Sequence, residues 1–254
     1  MLIDTHTHLY MPAFDGDRAA VMQRAMAAGI AECYLPAIDA EVMDRLLQME
    51  ADYPGVCKAM AGLHPCSVGA NCAQELDVVA DWLRRRPFAA LGEIGLDFYW
   101  DSSNAAVQLM AFEVQMEWAL EYGLPIVIHS RNAMQQTLAA VGPFAKRGLK
   151  GIFHCFSGNA AEAQQVVDMG FLLGIGGVVT YKNSGLAQAL VGIDLQHLVL
   201  ETDAPYLTPV PHRGKRNETG YVSLVAECVA GIYGVPATAV AEQTTANARG
   251  VFLY

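Results

Sequence analysis

Five of the seven histidines in this 254-residue chain fall at or just beyond the ends of short apolar runs: His6, His8, His64, His129 and His154. Two carboxylates, Glu93 and Asp203, are placed the same way. Imidazole and carboxylate are the usual ligands of divalent metals, so the distribution points to a metal site. His6 and His8 are two positions apart, with Thr7 between them. Side chains of a strand alternate faces, so both rings can reach one ion. Asp4 shares that face and could orient a ligand histidine from behind.

Glu93 follows the apolar run 89–91. A buried carboxylate there needs a compensating charge, either a barrel arginine or cations that it bridges. Bridging would account for the histidines as well. His129 follows 126–128 and His154 follows 152–153. One such histidine alone would read as a hydrogen-bonded core residue, whereas two in successive units point to ligation. Asp203 ends the run 199–202 and could ligate a metal, take a proton from bound water, or do both. Capping the following turn is its plainer alternative. Glu201 lies on the same strand face as a supporting group.

The densest basic stretch is Arg213-Gly214-Lys215-Arg216-Asn217-Glu218, after a loop containing Pro205, Pro209 and Pro211. It reads either as a solvated loop or as a contact for an anionic substrate beside the metal mouth. Gly174-Ile175-Gly176-Gly177 lacks the spacing and following helix of a dinucleotide fingerprint. A close backbone approach at the end of a strand explains it better.

These residues need a frame that brings the ends of many strands together. Strand candidates are 1–4, 32–37, 56–62, 88–91, 125–128, 149–153, 171–173 and 198–200. Helical periodicity marks 17–28, 41–51, 74–86, 105–122, 160–169, 222–233 and 236–249, as in Leu109, Phe112, Met116 and Leu120. Strand then helix, repeated, implies a parallel sheet with right-handed crossovers. Near 254 residues the expected fold is α/β, a distorted (β/α)8 TIM barrel forming a single domain over 1–254. An open doubly wound sheet is the alternative. Barrel enzymes carry their chemistry at the C-terminal ends of the strands, where these residues fall.

Composition narrows the function. Hydrophobic residues make up 53% of the chain and charged residues 17%, which allows a large core and excludes disorder. A net charge of −10 argues against a long grip on duplex DNA. It leaves room for a pocket in which bound metal supplies the positive charge. No basic-then-apolar leader opens the sequence, and no apolar run reaches the ~18 residues of a membrane span. The six cysteines form no Cys-x-x-Cys pair and read as reduced core thiols. A cytoplasmic protein without a membrane or an obligate protein partner is expected.

Taken in order, seven segments resemble the motif series of the TatD-type metal-dependent deoxyribonucleases, within the amidohydrolase-like barrel superfamily. They are Asp4-Thr5-His6-Thr7-His8, Gly62-Leu63-His64-Pro65, Gly92-Glu93-Ile94-Gly95-Leu96-Asp97, His129-Ser130-Arg131, His154-Cys155-Phe156-Ser157-Gly158, Glu201-Thr202-Asp203-Ala204-Pro205 and the basic stretch 213–218. The resemblance spans nearly the whole chain. It implies two divalent ions held by His6, His8, Glu93, His129, His154 and Asp203, with Glu93 shared. It implies Asp203 and Glu93 as catalytic groups, and substrate contacts from His64, Arg131, Arg213, Lys215 and Arg216. The implied activity is phosphodiester cleavage by a 3′–5′ exonuclease, with single-stranded DNA ends or another small anionic molecule as substrate. Mg or Mn is implied for activity, while histidine-rich ligation also suits Zn, Ni or Co.

Three positions depart from the family pattern. Asn132 stands where Asp is common, Thr219 where Pro is common, and Trp100 where Arg is common. None removes an implied ligand, and all fall where a substrate would be met. The competing activities are amide, lactone or aminoacyl-ester hydrolysis on the same barrel, and metal binding without catalysis.

Overall fold

A computed structural model describes residues 1–100 and 102–252 of the chain. Asp101, Leu253 and Tyr254, within the expected span 1–254, lie outside the described residues. Among the described residues, eight parallel strands follow in order: β1 Leu2–Asp4, β2 Ile30–Leu35, β3 Cys57–Ala59, β4 Leu91–Asp97, β5 Ile126–Arg131, β6 Gly151–Phe153, β7 Leu172–Ile175 and β8 Leu198–Leu200. They pair in sequence order within two sheets, β1-β2-β3 and β4 through β8. Single bridges, Ala61 with Leu91 and Thr7 with Ala204, join the sheets at both seams. Hydrogen bonds from Gly92 N to Ala61 O (2.7 Å) and from Thr5 N to Leu200 O (3.0 Å) reinforce these bridges. The result is the expected distorted α/β barrel.

Among the described residues, nine α-helices pack outside: α1 Arg18–Ala27, α2 Met43–Asp52, α3 Cys72–Arg85, α4 Ala105–Tyr122, α5 Met134–Ala145, α6 Ala160–Asp168, α7 Leu186–Ala189, α8 Val222–Tyr233 and α9 Ala237–Val251. Their apolar faces and the outward faces of the strands form the main core, in which Leu46, Phe112, Met116 and Val166 are fully buried. Inside the barrel, Ile3, Tyr34, Met60, Val127, Ile152 and Val199 make a second cluster. Phe252, just after α9, plugs it from below by stacking on Tyr34 at 3.8 Å. The floor is therefore apolar and closed, and polar side chains collect at the opposite mouth.

Helix α5 is not among the segments marked by helical periodicity, and it carries Pro143 in its interior. Burial of Thr137, Leu138, Val141 and Phe144 on one face holds it together through Pro143. Strand β4 also differs from expectation, running to Asp97 instead of stopping at residue 91. Every residue of β4 is buried, glycines included. All six cysteines are free. Among the described residues, no single helix is long and apolar enough to cross a membrane.

Candidate metal centre

His6 and His8 lie just beyond the end of β1. Extended pairing persists through them nonetheless. Thr7 N donates to Tyr34 O (3.0 Å), and His8 N donates to Ala204 O (2.8 Å). Both imidazoles are thereby presented to one point, with their Nε2 atoms 3.2 Å apart.

Glu93 lies inside β4, where the register with β5 slips between Gly92 and Ile94. Its backbone N turns away from β5 and donates to Ala37 O (3.0 Å). Its two oxygens face different histidines. Oε2 is 3.2 Å from His6 Nε2 and 3.7 Å from His8 Nε2. Oε1 is 2.6 Å from His129 Nδ1, 3.4 Å from His64 Nε2 and 3.7 Å from His154 Nε2. Among the ion pairs of the described residues, Glu93 meets histidines and no arginine, which removes the salt-bridge alternative. Asp203 Oδ1 closes the first group, 3.4 Å from His8 Nε2 and 3.8 Å from His6 Nε2.

The neighbouring loops adopt backbone that L-residues rarely choose. Asp203 (φ 56°), Cys155 (φ 45°) and Asn132 (φ 54°) are left-handed. Each such residue costs on the order of 1 kcal/mol, a strain that concentrates at functional sites. Asn217 anchors the Asp203 turn. Its buried amide donates to Thr202 O (2.8 Å) and Tyr206 O (2.7 Å).

Glu201 lies beneath the cluster. Its Oε1 accepts from Cys155 N (2.6 Å) and lies 2.9 Å from His154 Nδ1, in ion-pair range but without hydrogen-bond alignment. Asp4 behaves differently from expectation, since it touches no imidazole. It accepts from Thr202 N (2.9 Å) and Thr202 Oγ1 (2.6 Å), tying the end of β1 to that of β8. Two supporting groups were not foreseen. Asp97 Oδ2 lies 2.9 Å from His129 Nε2, and the Tyr10 hydroxyl lies 2.9 Å from His8 Nδ1 while donating to Pro36 O (2.7 Å). Strand alternation from Glu93 was the signal for Asp97, had β4 been read to its full length.

His64 also falls nearer the centre than a substrate contact requires, with Nε2 3.3 Å from His129 Nδ1. Arg131 is exposed at the mouth, its guanidinium 3.8 Å from the Tyr99 ring centre. Arg213 lies over Tyr181 at 4.1 Å, and Lys215 is exposed. Arg216 is not free for substrate. It forms a two-pronged pair with Asp17 (2.8 and 2.7 Å), donates to Ala13 O (2.7 Å) and covers Phe14. Thr219 is likewise withdrawn from substrate, being buried with its hydroxyl 3.1 Å from that of Thr7.

Charge in the cluster is finely divided. Burial pulls the His6 pKa down to about 4, reinforced by His154, so its ring is neutral and available as a ligand. Burial also opposes charge on His129 and His154. Contacts with Asp97 and Glu93 nevertheless lift His129 to about 9, and Glu201 and Glu93 lift His154 to about 10. Glu93 is buried, yet the charges of His64, His6 and His154 hold its carboxyl well below the usual range. Against burial, a hydrogen bond to His8 lowers Asp203.

The donor set fits divalent cations. His6, His8 and Asp203 offer atoms within 4.8 Å of one another, as do His6, Glu93 and His154, and also His64, Glu93 and His129. Three buried atoms of the cluster, His6 Nδ1, His154 Nδ1 and Glu201 Oε2, have no hydrogen-bond partner among the described residues. A cavity of about 380 Å3 opens above, lined by His129, Arg131, His154, Asp203, Tyr206 and Leu207.

A barrel with such a cluster at its mouth defines a metal-dependent hydrolase. The family model described as TatD related DNase matches residues 3–253, and the chain belongs to that family. It is 35% identical over 253 residues to an uncharacterized metal-dependent hydrolase, YabD, of Bacillus subtilis, covering 99% of both proteins. It is 31% identical over 257 residues to the 3′-5′ ssDNA/RNA exonuclease TatD of Klebsiella pneumoniae, covering 99% of this chain and 97% of that protein. The crystal structure of YjjV, a TatD homologue from Escherichia coli, is similar with a TM-score of 0.94 at 30% identity, covering 100% of this chain and 98% of the other.

Proposed function

We propose that this protein is a cytoplasmic 3′–5′ exonuclease that cleaves phosphodiester bonds at single-stranded DNA ends, using two divalent ions, Mg or Mn, held by His6, His8, Glu93, His129, His154 and Asp203. The observation that carries the two-ion reading is the division of Glu93, with Oε2 toward His6 and His8 and Oε1 toward His129 and His154. The exonuclease named in Klebsiella pneumoniae supports the choice of substrate.

When bound, the ions would acidify water and offset charge on the phosphoryl group. The chain supplies the rest. Asp203, held low in pKa and half-buried, takes the proton of the attacking water at its carboxylate. Glu201, Asp97 and Tyr10 fix the orientation of His154, His129 and His8. Arg131 at the mouth, with Arg213 and Lys215 from the basic loop, receives the phosphate backbone. His64 lies where it can face the reacting phosphate or join Glu93 and His129 as a donor.

The test is cleavage of a 5′-labelled single-stranded DNA with Mg and Mn tried separately and Glu93→Ala as control. Stepwise shortening from the 3′ end, absent in the control, is expected. Protein that holds two ions but cuts no phosphodiester, while hydrolysing an amide, lactone or aminoacyl ester, would replace this reading.

A further inference from the structure

Trp100 is 71% exposed and Tyr99 51% exposed, an unusual display of aromatic surface that no packing explains. The two rings meet edge to face at 4.8 Å. They are tied to the metal centre through one carboxylate. Asp97 Oδ1 accepts from Tyr99 N (2.9 Å) and Trp100 N (3.4 Å), while its Oδ2 lies 2.9 Å from His129 Nε2.

Trp100 also walls an open cavity of about 510 Å3, separate from the one above Asp203. Asp97, Pro65, Cys66, Val68 and Val107 line it too, and Pro65 directly follows His64. Its amide groups are already engaged. Asn104 Nδ2 donates to Val68 O (2.8 Å), its Oδ1 accepts from Gln108 Nε2 (2.8 Å), and Gln108 Oε1 accepts from Asp97 N (2.9 Å). The cavity offers an aromatic face and apolar walls, with Asp97 already committed to His129 and the loop amides, and the Arg131 guanidinium, which lines the neighbouring cavity above Asp203, stands 5.4 Å from the Trp100 ring centre. That combination suits a flat heteroaromatic ring joined to a phosphate, with little means of telling one base from another.

We infer that this cavity is a nucleobase subsite, in which Trp100 stacks on a base adjoining the scissile phosphodiester. The inference rests on the exonuclease reading and adds to it a binding residue and base-tolerant recognition. Arg131 serves both, stacked against Tyr99 and positioned to meet the phosphate of the same nucleotide.

The experiment compares three single-stranded oligonucleotides: unmodified, abasic at the 3′ terminus, and abasic at the penultimate position. Each is assayed with the metal-loaded native protein, Trp100→Ala and Trp100→Phe. The native protein is expected to lose about tenfold in kcat/KM on one abasic substrate, through KM, as expected for one lost base stack. Trp100→Ala should fall to that level on the unmodified strand and lose nothing more on the same abasic one, and Trp100→Phe should retain most of the preference. Equal losses on all three substrates, or none, would overturn the subsite and leave the exonuclease reading standing. No cleavage of any strand by the native protein with Mg or Mn would overturn both.

Discussion

Glu201 and Gly174 are in contact between the neighbouring strands β8 and β7: a Cβ built on Gly174 would lie 2.4 Å from Glu201 Oε2 and 3.2 Å from the His154 Cα. Glycine at 174 thus leaves the room in which Glu201 reaches both His154 and Cys155 N. The close backbone approach inferred from the glycine-rich run 174–177 is present here, and at Gly177, where a Cβ would meet Leu207 O at 2.1 Å.

Gly174→Ala should therefore behave as a metal-site variant although residue 174 ligates nothing. Displacing Glu201 frees the His154 ring, and loss of such a supporting contact typically costs 10–100-fold in metal affinity or activity, by order of magnitude. Isothermal titration with Mn or Zn, set beside Glu201→Gln, measures it. Native-like affinity in Gly174→Ala would contradict the positioning role of Glu201.

Asp203→Asn keeps the shape of the side chain and removes its capacity to take a proton. Turnover should fall by roughly 10²–10⁴-fold, the usual scale of a lost general base. Asn tolerates left-handed backbone, so the φ of 56° is no obstacle and the melting temperature should hold. Steady-state kinetics beside a thermal melt separate the two effects.

Metal uptake should release protons. His129 and His154 are lifted from the ordinary 6.5 to about 9 and about 10, so both are protonated at pH 7 without metal. Their contribution to folding is then complete below pH 6.5 and is lost as pH rises through 9 and 10. Close to two protons per chain should appear when metal is added at pH 7 in weak buffer. The metal-free protein should also melt lower at pH 10 than at pH 7. A pH-indicator titration and a pair of melting curves check both.

Arg216 and Asn217 should part company with the rest of the basic stretch. Arg216→Ala breaks the pairing with Asp17, so a modest fall in melting temperature is expected with KM for DNA unchanged. Asn217→Ala strands the carbonyls of Thr202 and Tyr206 on either side of Asp203, a destabilisation of about 2 kcal/mol, with activity falling alongside. Arg213→Ala and Lys215→Ala should raise KM, steeply at low salt, without touching stability. Urea unfolding and KM at two salt concentrations distinguish the three behaviours.

The sequence exposed the centre more fully than its supports. Histidines and carboxylates at the ends of apolar runs were legible, because a parallel barrel leaves such positions little else to do. The expected strand 88–91 leaves Glu93 beyond its end, whereas β4 runs through Glu93 to Asp97. Gly95 is in fact where β4 passes so near β5 that a Cβ would lie 2.0 Å from His129 O. That misreading hid Asp97. Tyr10 and Asn217 were hidden for another reason: Tyr10 acts by bridging His8 to Pro36, and Asn217 by holding the carbonyls of Thr202 and Tyr206, contacts that leave no periodic pattern. Arg216 was misassigned because charge alone does not reveal that Asp17, 199 residues away, already holds it.

The seam between β1 and β8 has a temporal consequence. Thr5 reaches Leu200 across 195 residues, and Asp4 reaches Thr202 across 198. The centre is split over that seam, with His6 and His8 on one side and Asp203 on the other. A growing chain therefore carries His6 and His8 without Asp203 through most of its synthesis, and pairing over such a span must first meet the entropy of closing a long loop. Hydrolytic power arrives only when the ring is shut, so activity doubles as a report that the last strand has found the first.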